Sequence, residues 1–138
     1  DLPKGSRQHS VTSAIWTGTE AVTFSREAIA AYDPAKGAWR DLGEGPDMGS
    51  SQTLAWTGQE VIVLEGGIIS SDIALDVAAL DPSTDNWRAI QPLGLNARND
   101  PAAVWTGTQL IVWGGASSTG FTSEPYADGV RYDPGPGR

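Results

Sequence analysis

Short apolar runs alternate with clusters of Gly, Pro, Asp and Ser along the whole chain, the spacing of strands and turns, and helix has almost no support. The clearest unit reads as four strands: Gln52 to Trp56, Glu60 to Leu64, Ile73 to Leu80 and Asn86 to Ile90. An earlier unit follows the same order with Val11 to Trp16, Glu20 to Phe24, Ala28 to Tyr32 and Ala38 to Leu42. A later one runs Ala102 to Trp105, Gln109 to Trp113 and Gly129 to Tyr132, without a fourth strand. Trp-Thr-Gly closes the first strand of every unit (Trp16, Trp56, Trp105), and Asp-Pro (Asp33, Asp81, Asp133) follows the third. The tryptophans are 40 and 49 residues apart and the aspartates 48 and 52. A period of about 50 residues built from short strands is the length of one propeller blade.

Length variation is concentrated in one connection. From the Trp of Trp-Thr-Gly to the residue before Asp-Pro the distance is 16, 24 and 27 residues, whereas from Trp39 or Trp87 to the next such Trp it is 17 and 18. In a four-stranded meander, the connection from strand two to three leaves the sheet at the same end as the linker to the next unit. One end therefore collects the variable loops, here 65–72 and 115–128, and loops on a rigid scaffold are where binding usually resides.

Three features match a known family at blade spacing: Gly pairs after strand two (Gly66-Gly67, Gly114-Gly115), aromatic-Asp-Pro turns (Tyr32-Asp33-Pro34, Tyr132-Asp133-Pro134) and strand-four tryptophans (Trp39, Trp87). Over essentially its whole length the chain resembles the kelch repeat in its bacterial form. The first unit departs from it with Ser25-Arg26 in place of the Gly pair, and the second has Leu80 in place of Tyr. The resemblance implies an all-β fold of four-stranded antiparallel blades belonging to an incomplete β-propeller ring. Blade 1 spans about 9–42, blade 2 about 50–91 and blade 3 about 100–138, the last lacking its outer strand. Rings of this kind take about four to eight blades, so other blades or other chains are expected to complete it. Asp1-Leu2-Pro3 matches the Asp41-Leu42-Gly43 that follows Trp39-Arg40, as if a preceding strand four ended there. The resemblance also points to an extracellular or periplasmic setting.

Composition narrows the chemistry. A net charge of −8 and the lack of a dense Lys/Arg patch argue against nucleic acid, whose binding depends on clustered cations. No apolar run approaches the length that spans a bilayer. Without cysteine there is no disulfide framework, thiolate metal site or cysteine nucleophile, and a single histidine supplies a transition-metal site poorly. Galactose oxidase also carries kelch repeats, but its copper site needs two histidines and a Cys-linked Tyr. Ser83-Thr84-Asp85-Asn86-Trp87 approaches the Asp-box of sialidases but lacks its Gly between Asp and Trp. No cofactor, metal or catalytic set is expected.

The polar residues of the inter-blade segments are the binding candidates: Arg7 and His9 before blade 1, Asp47 before blade 2, and Arg98 and Asp100 before blade 3. The functional expectation is a rigid scaffold that recognises a protein, peptide or glycan through loops on one face. The alternatives are a propeller enzyme whose active site is completed by other blades, carbohydrate-active or oxidoreductase, and an architectural subunit that packs on a catalytic partner. Ile68, Ile69, Phe121 and Tyr126 on the long connections favour a protein partner if they are exposed, and the Asp-Pro turns and strand-four tryptophans are expected to be structural.

Overall fold

The computed structural model describes residues 10–25, 28–46, 51–66, 74–119 and 122–135. These residues are all-β, with no helix among them. The first sheet contains β1 (Ser13–Trp16), β2 (Ala21–Phe24), β3 (Ile29–Asp33) and β4 (Ala38–Asp41), and the second β5 (Ser51–Trp56), β6 (Val61–Gly66), β7 (Val77–Asp81) and β8 (Asn86–Ala89). Both are antiparallel meanders with strands in chain order. The third sheet consists of β9 (Ala102–Trp105), β10 (Leu110–Trp113) and β13 (Gly129–Tyr132), with β10 in the middle. Between β10 and β13 the chain forms a separate hairpin, β11 (Ala116–Thr119) with β12 (Thr122–Pro125). The arrangement of sheets is not closed.

The strands agree with the sequence pattern except at a few places. Residues 115–128, expected as an open connection, carry the β11–β12 hairpin, whose Ser and Thr residues gave no apolar alternation to reveal it. β7 starts at Val77, later than expected. Just before it, Leu75 donates its N–H to the carbonyl of Leu95 and so is tied to the following linker. Glu20, Glu60 and Gln109 close turns and do not open strands. In each case the Thr of Trp-Thr-Gly donates its N–H to the carbonyl three residues on, and that residue's N–H donates to the Thr Oγ1. The glycine between has φ near 100° in all three turns, the backbone of a two-residue II′ hairpin. The Asp-Pro turns are equally local. Asp33 Oδ1 accepts the N–H groups of Ala35 and Lys36, Asp81 Oδ1 that of Ser83, and Asp133 Oδ1 that of Gly135.

The sheets stack face to face, with their first strands beside one another (β1 by β5, β5 by β9). One core lies between sheets one and two, where Val22, Phe24 and Ile29 meet Val61, Val63 and Leu80. The other lies between sheets two and three, where Ile62, Leu64 and Val77 meet Leu110 and Val112. β6 therefore buries alternate residues in opposite cores, which explains its continuous apolar run. The Gly after strand two is needed because the linker into the next sheet crosses it. A Cβ on Gly115, at φ 85°, would lie 2.7 Å from the Asn99 carbonyl oxygen, and one on Gly66 would lie 3.2 Å from Asn99 Oδ1.

A second repeat joins the sheets. Arg40 in β4 binds Glu20 with two hydrogen bonds of 3.0 and 2.9 Å, and Arg88 in β8 binds Glu60 with two of 2.7 and 2.6 Å. Arg40 also reaches Asp85 at 2.8 Å and the Pro82 carbonyl, both in the turn between β7 and β8, and Arg88 has Tyr132 of sheet three beside it. The Arg40 hydrogen bonds hold the Glu20 carboxyl below its ordinary value, and local hydrogen bonds from Lys36 and Ser83 do the same for Asp33 and Asp81. A carboxylate whose folded pKa is depressed contributes stability that is complete above the unfolded value and is lost as pH falls through the folded one. The urea midpoint is therefore expected to hold between roughly pH 7 and 5 and to drop steadily below about pH 4, with Glu20→Gln flattening part of that slope. A midpoint that stays level through this acid range would contradict the assignment.

Candidate functional site

The end of the sheets that carries the inter-sheet linkers holds a cleft with a volume of about 510 Å³. Its position follows from register. β6 and β7 pair Val63 with Ala78, and β7 and β8 pair Ala78 with Ala89, so these three residues share one face of sheet two. They form an apolar floor, with Trp87 at its outer side. One step further along the same pairing, Glu65 donates its N–H to the Asp76 carbonyl at 3.0 Å, which sets the two acidic residues opposite each other on the rim. Glu44, Gly45 and Pro46 of the linker from sheet one form the facing wall.

Glu44 and Asp76 also line the rim over the hydrophobic floor, an arrangement suited to a ligand that combines a cation with an apolar stem. Trp87 packs edge-on to Phe24, with ring centroids 6.5 Å apart. Its Nε1–H is buried without a hydrogen-bond partner, the only such side-chain atom among the described residues. The expectation that Trp87 is structural agrees with this packing, although the ring also borders the cleft. Trp39 has a more local setting, tilted against Tyr32 at 5.1 Å within sheet one.

Of the five residues singled out from sequence, Arg7, His9 and Asp47 lie outside the described residues. Arg98 and Asp100 lie on the linker into sheet three, at the expected end, but neither lines the cleft. Arg98 is only 1% exposed. Its guanidinium donates to the carbonyls of Asn96 (2.9 Å) and Gly114 (3.0 Å) and to Asp128 Oδ1 (2.7 Å), and stacks 4.2 Å from the centre of the Tyr126 ring. It serves as a bracket that ties the linker to both ends of the connection between β10 and β13. The guanidinium hydrogen bond also holds the Asp128 carboxyl below its ordinary value. Asp100 is exposed, has φ 49° and accepts a 3.0 Å hydrogen bond from Ser51 Oγ at the start of β5.

The apolar loop residues divide similarly. Ile68, Ile69 and Phe121 lie outside the described residues, and Tyr126 is half-buried on Arg98. Among the described residues no three His, Cys, Asp or Glu side chains gather as metal ligands, and no helix is long and apolar enough to cross a membrane. Sequence reasoning passed over Glu44, Glu65 and Asp76. The signal was available in register, since an in-phase pairing of the two central strands sets Glu65 against Asp76.

No protein-family model matches the chain and no curated protein matches it.

Proposed function

We propose that this chain is a recognition module, a segment of a kelch-type β-propeller that binds a partner protein or peptide through the loop-bearing end of its sheets. The observation that carries the reading is the cleft in sheet two, where Val63, Ala78 and Ala89 lie beneath a rim that includes Glu44 and Asp76. A lysine or arginine on an extended partner segment fits this combination: the aliphatic stem rests on the floor and the charged head meets the carboxylates. The net charge of −8 attracts such a partner at long range. The repeat supports the propeller class through strand order, blade-length spacing and the recurring turns.

The test is calorimetric titration of the chain with extended peptides that carry Lys or Arg, and with matched peptides that carry Glu. Basic peptides are expected to bind with an affinity that falls as salt is raised. The Glu44→Gln, Asp76→Asn double variant should bind them about tenfold more weakly, a loss of about 1.4 kcal/mol. Equal binding of acidic and basic peptides, or an unchanged affinity in the double variant, would overturn the reading.

A further inference from the structure

β8 is the outer strand of sheet two, and its free edge borders the cleft. One hydrogen bond shows which of its residues face outward. Ile90 donates its N–H to the Val77 carbonyl at 3.0 Å, in phase with the pairing of Leu80 with Trp87. In an antiparallel ladder the bonded pairs recur at every second residue, so Arg88 and Asn86 exchange bonds with Ala79 and Asp81. Trp87 and Ala89 therefore turn their N–H and C=O groups away from β7, and among the described residues nothing else pairs with those groups. The side chains of the same two residues share the face that forms the cleft: Ala89 ends the row Val63–Ala78–Ala89, and Trp87 the row Val61–Leu80–Trp87. Arg88, the one charged residue of the strand, alternates to the other face, where Glu60 holds it. The outer edge of sheet one is equipped differently. β4 carries Asp41 where β8 carries Ala89, and charge on an edge strand discourages pairing along it.

We propose that an extended segment of the partner adds to β8 as a further antiparallel strand of sheet two and lays a lysine or arginine into the cleft from that edge. The inference rests on the reading of the cleft as a site for a basic segment, and adds how that segment is held. A partner residue paired with Ala89 bonds to its N–H and C=O, and the side chain of that residue continues the row over Ala89 and Ala78. Two methyl groups leave room there for an aliphatic stem, whose charged head meets the rim at Glu44 and Asp76. The next residue on the same face pairs with Trp87 and sets an apolar side chain beside the indole. Main-chain bonds supply the affinity of such an addition, and alternate side chains supply its selectivity. Charge complementarity selects the occupant: a strand with a cation and, two residues later, an apolar side chain, approaching a chain of net charge −8.

Calorimetric titration with an end-blocked heptapeptide, Thr-Val-Thr-Lys-Thr-Val-Thr, tests this, because N-methylation removes one amide donor at a time. A methyl group on the nitrogen of the lysine, or of the valine that follows it, replaces an N–H that faces β8 and should weaken binding at least about tenfold. On either threonine beside the lysine it replaces an N–H that faces away, and affinity should stay within about twofold. On the protein side, Ala89→Pro removes an outward N–H at a position where an edge strand tolerates proline, and should weaken binding about tenfold with the circular dichroism of the parent. The methylated peptides act on the unaltered chain, so they decide the matter even where Ala89→Pro does not fold. A uniform effect of methylation along the peptide, or a loss at the threonines instead, would overturn the strand addition while leaving intact the preference for basic peptides and its loss in the Glu44→Gln, Asp76→Asn variant. Failure of the unmethylated peptide to bind would overturn both.

Discussion

Phe24→Ala is expected to destabilise the chain by about 3–5 kcal/mol, the range for truncating a fully buried aromatic side chain. Phe24 has no exposed surface, lies in the core between sheets one and two, and supports the edge of the Trp87 ring. Its removal leaves a cavity that two hydrogen-bonded sheets cannot close by collapse, because the backbones on either side are fixed by their ladders. The loss should be visible as a lowered urea midpoint and a lower melting temperature. Trp113→Ala provides the contrast, since an indole that is 57% exposed in the single chain should change its stability little. Equal effects of the two substitutions would mean that the sheets do not pack as described.

Arg98→Leu is expected to cost about 2–3 kcal/mol, although an arginine in a linker would ordinarily be replaceable. Leucine keeps much of the apolar stem but leaves the carbonyls of Asn96 and Gly114, and the carboxylate of Asp128, without the donors they now share. Arg98→Lys should recover only part of the loss, because an ammonium group cannot span three acceptors in a plane and stack on Tyr126 at once. Asp128→Ala changes stability in the same direction, since it leaves a buried guanidinium without its counter-charge. Limited proteolysis gives a second readout. Release of the bracket should expose the segment around the β11–β12 hairpin to cleavage while the first two sheets stay protected. A wild-type urea midpoint in Arg98→Leu would show that the bracket is idle.

Much of the fold is legible in the sequence because its determinants are local. Trp-Thr-Gly carries its own hairpin, with a glycine at the position that needs positive φ and a threonine hydroxyl that accepts the returning N–H group. Asp-Pro carries its own turn through Asp Oδ1. Period-two alternation then marks the strands between them. The β11–β12 hairpin escaped this reading because its strands, Ala-Ser-Ser-Thr and Thr-Ser-Glu-Pro, carry almost no large apolar residues and so have no apolar alternation to show. The Glu20–Arg40 and Glu60–Arg88 pairs escaped it because each joins the turn before the second strand of a sheet to its fourth strand, 20 and 28 positions apart.

The candidate site was less legible. Sequence alone indicated which end of the sheets to examine, because loop lengths vary at that end only. It did not show that Arg98 turns inward, since its acceptors come from segments 2, 16 and 30 residues away and are assembled only when the third sheet forms. Nor did it single out Glu65 and Asp76, which are ordinary loop-flanking acids until strand register sets them face to face. By itself the sequence determined the all-β class, the strand repeat and the turns, because hydrophobic period and turn chemistry act over a few residues. The tertiary structure alone decided which faces are buried, which charges are consumed and where the cleft opens, because those depend on which sheet lies against which.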